Sequence, residues 1–96
     1  MKIVRIEKSS EECQQASWQA VNVYFDTAVN QETILSWNRL GSLVYLKQLK
    51  QPFYKISAPT YLIKGIEGKN VLRIGSSENH EFLWNTDWIE QFLFSA

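Results

Sequence analysis

The sequence predicts an α+β fold on three observations. Apolar residues in the first half recur at helical spacing. After Pro52 the apolar period changes to that of strands. A capping residue, Asn85 or Thr86, then opens a last apolar segment. In order, the expected elements are an N-terminal strand and helices over about 10–28 and 31–50. An antiparallel β-meander follows over about 53–56, 60–66, 69–75 and 80–84, and a C-terminal helix over 86–94. All of them belong to one small domain, 1–96, because a chain this short supports a single core.

The first strand rests on Ile3, Val4 and Ile6, residue types that favour a pleated surface. Ser9 with Glu12 makes a capping box for the helix that follows. At ~100° per residue, Gln15, Gln19, Asn22 and Asp26 fall on one polar stripe. Cys13, Ala16, Ala20, Tyr24 and Ala28 lie opposite, so Ala20 and Tyr24 are expected to be buried. Asn30 caps the next helical stretch. The apolar residues from Ile34 to Leu49 do not share one straight face, which places a break near Gly41, and Pro52 ends the segment.

Residues 60–66 and 69–75 read as a hairpin turning at Glu67-Gly68. A two-residue loop sets Ile63 against Leu72 and Tyr61 against Ile74 on one face. Lys64 and Arg73 then fall on the other. A three-residue loop with Gly68 in the left-handed region would shift this register and mix the faces. In the last helix, Asp87 sits in the first turn, where a carboxylate suits the helix dipole.

Charge is balanced overall but uneven along the chain. Arg39, Lys47, Lys50, Lys55, Lys64, Lys69 and Arg73 face only Glu67, which gives residues 39–73 a net +6. Residues 1–38 carry −2 and residues 74–96 carry −4. No apolar run approaches ~18 residues, so no membrane span is expected. The N-terminus is too charged for a signal peptide, and the one cysteine suits a reducing compartment, so the cytoplasm is the expected location.

Catalytic groupings are sparse. His80 is the only histidine, which argues against a histidine-rich metal site. Cys13 with His80 is the one nucleophile–base pair available for thiol chemistry. As a residue on the apolar side of its helix, Cys13 reads instead as a small core residue. The glycines lack the spacing of a phosphate loop. No enzyme, cofactor or metal is expected.

The layout from Tyr45 to Leu93 resembles the small winged-helix proteins of the excisionase type. Gly68-Lys-Asn-Val-Leu-Arg-Ile-Gly75 is similar to the start of their wing, and Asp87-Trp-Ile-Glu-Gln-Phe-Leu93 to their final helix. The resemblance implies DNA binding, with residues 57–66 as the recognition helix. That segment departs from the pattern, carrying one basic residue, a Pro and a Gly, and hairpin pairing accounts for it better.

The leading functional expectation is a protein-interaction or accessory protein, self-associating or docking a protein partner through Trp84, Trp88, Ile89, Phe92 and Leu93. Trp84, Trp88 and Phe92 are spaced four apart and would form one row on a helix. The runner-up is a DNA- or RNA-binding regulator using Lys47, Lys50, Lys64, Lys69 and Arg73. A small-ligand protein is the third reading.

Overall fold

The computed structural model describes residues 1–9, 18–77 and 80–95. Among them, six strands form one antiparallel sheet: β1 (Ile3–Lys8), β2 (Gln19–Phe25), β3 (Ser42–Leu46), β4 (Phe53–Ser57), β5 (Tyr61–Ile66) and β6 (Val71–Ser76). Their order across the sheet is β1-β2-β6-β5-β4-β3. Helix α1 (Gln31–Ser36) runs into a 3₁₀ turn, Trp37–Leu40. A second 3₁₀ turn, His80–Trp84, precedes helix α2 (Thr86–Phe94). The expected α+β class is therefore present, with strand and helix at the two ends.

Side-chain alternation gives the sheet two distinct faces. Val21, Val23, Phe25, Tyr54, Ile56, Ile63, Leu72 and Ile74 point to one face and are buried. Ile34, Trp37, Leu83, Ile89 and Leu93 of the helical layer close over them. The indole N–H of Trp37 donates to the Leu93 carbonyl at 2.8 Å, fastening the first helical segment to the last. Phe94 packs edge-on against Phe25, with centroids 5.9 Å apart.

Two of the three helix starts expected from the sequence, those at Asn30 and Asn85, are present. The Asn30 side chain accepts from the Thr33 N–H at 2.9 Å, and that of Asn85 from the Trp88 N–H at 3.0 Å. Each satisfies one of the N–H groups that a helix start leaves unpaired.

Three expectations need correction, and the winged-helix resemblance fails. The helix predicted over 10–28 is absent where the segment is described: residues 19–25 form strand β2, with Val21, Val23 and Phe25 alternating inward. Outward-facing Ala20 and Tyr24 hid that alternation. Ala20 is buried as expected, but under Trp18 on the outer face, and Tyr24 is half-buried beneath the Arg5 guanidinium, 3.9 Å from its ring centre. Residues 10–17, including Cys13 and the Glu12 half of the capping box, lie outside the described residues. The second half of the 31–50 helix is strand β3, because Leu43, Val44 and Tyr45 gain a full ladder with β4. The strand predicted over 80–84 is a 3₁₀ turn. Residues 57–66 hold strand β5, as the expected hairpin requires, and not the recognition helix of the winged-helix layout.

The hairpin register moves by two residues. Ile63 opposes Ile74, and Lys64 opposes Arg73. Gly68 has φ +90°, and the Lys69 N–H donates to the Ile66 carbonyl at 3.2 Å. This turn places glycine where only glycine sits without strain. The expected mixing of faces does not occur: the shift is of two residues, which preserves parity, so Tyr61, Ile63 and Ile74 still share one side while their partners change.

Candidate functional site

Two surfaces carry the residues singled out from the sequence. The first surrounds α2. Phe82, at 4.2 Å between centroids, and Phe92, at 5.0 Å, lie on either side of the Trp88 ring. Tyr61 of β5 meets Phe92 edge-on at 5.1 Å. The result is a continuous aromatic row, Phe82–Trp88–Phe92–Tyr61.

The row differs from the expected Trp84–Trp88–Phe92. The cap at Asn85 ends one helical phase and begins another, so Trp84 leaves the line and Phe82 enters it. Trp84 is 52% exposed and Trp88 40%. Ile89 and Leu93, expected in the same interface, are fully buried in the core. Their helix turns them toward the sheet, so the accessible part of the predicted set is Trp84, Trp88 and Phe92. Glu81 and Asp87, next in sequence to Phe82 and Trp88, are exposed and give this segment negative charge.

Arg39 joins the Trp37 indole in holding α2 from its far end. Arg39, in the 3₁₀ turn after α1, donates to the carbonyls of Leu93 at 2.7 Å and Phe92 at 3.3 Å. The last turn of α2 has no basic residue of its own, so Arg39 supplies the positive charge that a helix C-terminus favours. The Tyr61 hydroxyl donates to the Leu40 carbonyl. Burial raises the pKa of Tyr61 above the ordinary phenol range, while the Arg39 guanidinium pulls it the other way.

The second surface is the outer face of the sheet. Lys55 opposes Lys64, and Lys64 opposes Arg73, so three cations form one line across β4, β5 and β6. Lys64, Arg73 and Lys69 line a groove of about 310 Å³ together with Ser9, Asn22 and Phe53. Arg73 Nε donates to Ser9 Oγ at 3.0 Å. Three of the five basic residues named from the sequence thus meet here. Lys47 and Lys50 do not, since they lie in the turn between β3 and β4. Lys55 was missed, although strand parity with Lys64 would have found it.

Among the described residues no three His, Cys, Asp or Glu side chains gather as a metal cluster. No helix of these residues is long and apolar enough to cross a membrane. The Cys13–His80 pair lies outside the described side chains. Comparison with protein families, curated proteins and solved structures finds no match to this chain.

Proposed function

We propose that this chain is a non-enzymatic protein-interaction domain whose docking surface is the aromatic row on α2, with Trp84 beside it. The observation that carries this reading is the exposure of two tryptophans, Trp84 and Trp88, in one acidic segment. Trp is the residue type most enriched where binding energy concentrates, and its ring face attracts cations. Glu81 and Asp87 select by charge, so the partner presents apolar and basic side chains together.

The test titrates the chain with amphipathic peptides of equal apolar content, one basic and one acidic. The expected result is binding of the basic peptide by titration calorimetry, lost in W84S/W88S while the melting curve stays cooperative. Equal response to both peptides, or full binding by the double variant, would refute the reading. Sedimentation of the same variant shows whether a second copy occupies the surface, as self-association through this segment requires.

A second reading, nucleic-acid binding, is favoured by one observation: Lys64, Lys69 and Arg73 share a groove with an aromatic ring, Phe53. Single-stranded oligonucleotide affinity should then fall steeply with salt and drop in K69E. No binding at ~50 mM salt would remove it.

A further inference from the structure

The two edges of the sheet are built differently. Edge strand β1, Ile-Val-Arg-Ile-Glu-Lys, carries Arg5, Glu7 and Lys8 and is interrupted by a bulge between Ile3 and Arg5. Charges and bulges of this kind prevent edge-to-edge pairing. Edge strand β3, Ser-Leu-Val-Tyr-Leu, has no charge, no proline and an unbroken register with β4. Val44, at its centre, is 41% exposed. Among the described residues, no strand pairs with the other side of β3.

We infer that β3 is a homodimerisation edge, where two copies pair antiparallel about a two-fold axis and extend the sheet across the seam. The occupant is a second copy because the strand is complementary to itself. Centred on Val44, the pairing sets Val44 against Val44, Leu43 against Tyr45 and Ser42 against Leu46. Lys47 falls opposite Gly41, so no like charges meet at the seam. This register keeps residue parity, so inner faces adjoin inner faces. The Lys55 side chains of the two copies stand three strand spacings apart, about 14 Å, where salt screens them. Five residues a side is a small interface, and dissociation in the range of about 10–500 μM is expected. The surface is separate from the aromatic row and does not rest on it.

Sedimentation of the full chain between about 10 μM and 1 mM tests the pairing. Wild type is expected to pass from monomer to dimer over that range. V44E is expected to remain monomeric throughout, because two carboxylates then face each other at the axis. Within each copy the same residue gains Lys55 as its cross-strand neighbour, so the melt should not fall. V4E, on the guarded edge, and W84S/W88S are expected to dimerise as wild type does. As a second measurement on unmodified protein, amide exchange within residues 42–46 should slow as concentration rises. A wild type monomeric at 1 mM, or a V44E that still dimerises, overturns the inference. Loss of dimer in W84S/W88S but not in V44E overturns it in favour of the aromatic surface.

Discussion

Replacing Tyr54 with Phe should make this protein more stable. Tyr54 is fully buried, and among the described residues its hydroxyl meets no hydrogen-bond partner. Its ring covers Gly65, the residue directly across on β5, and a Cβ added there would stand 2.6 Å from Cζ. Leaving a buried hydroxyl unsatisfied costs about 1–3 kcal/mol. Removing the oxygen forfeits only a few dispersion contacts at ~0.1–0.2 kcal/mol each. The net gain is about 1–2 kcal/mol. With an unfolding entropy of about 0.2 kcal/mol/K for a chain this size, Tm should rise by about 5–10 °C. Burial also raises the pKa of Tyr54 well above the ordinary phenol range. A group with a raised folded-state pKa contributes its stability in full below the unfolded pKa, about 10, and loses it as pH climbs toward the folded value. Wild type should therefore weaken above pH ~10, and the advantage of Y54F should widen there. Calorimetry at neutral and alkaline pH reads both effects. A Y54F protein that melts below wild type at neutral pH refutes the reasoning, because the hydroxyl would then be satisfied. G65A should be destabilising in either background, since Cζ is present in both Tyr and Phe.

Three further outcomes are expected. Arg39→Met removes the donor pair at the end of α2 and should lower stability by about 1 kcal/mol, seen as an earlier urea midpoint and faster exchange in the last turn of that helix. Lys55→Glu turns a like-charge cross-strand pair with Lys64 into an opposite-charge pair and should stabilise by about 0.5–1 kcal/mol; a lower midpoint would contradict the pairing. The Asp26 carboxylate is held below its ordinary pKa chiefly by the Lys2 N–H, which donates to it at 2.8 Å. Its contribution is thus present above the unfolded pKa, about 3.9, and fades as pH falls through the lower folded value. Exchange of the Lys2 amide should accelerate in that acid range, and D26N should exchange faster already at pH 7.

Local grammar determined what depends on neighbours in the chain. Asn30 and Asn85 cap their helices because a short polar side chain reaches an N–H three residues on, and that geometry needs no tertiary partner. The split between a core face and a basic face in the hairpin was likewise legible, since parity survives a register shift of two. Tertiary structure decided the rest. Residues 19–25 have a helix-compatible polar stripe, and residues 42–46 continue an apolar run. Both became strands because ladders with β1 and β6, or with β4, satisfy their backbone and bury Val21, Val23 and Phe25. The aromatic surface shows the same division. Its composition was visible in the sequence, yet only the turn of α2 against the sheet drew Ile89 and Leu93 into the core while leaving Trp84 and Trp88 outside. Parity placed Lys64 and Arg73 on one face, but their alignment with Lys55 in a single line followed only from the register of β4, β5 and β6, because residues nine apart in sequence become neighbours only across a ladder.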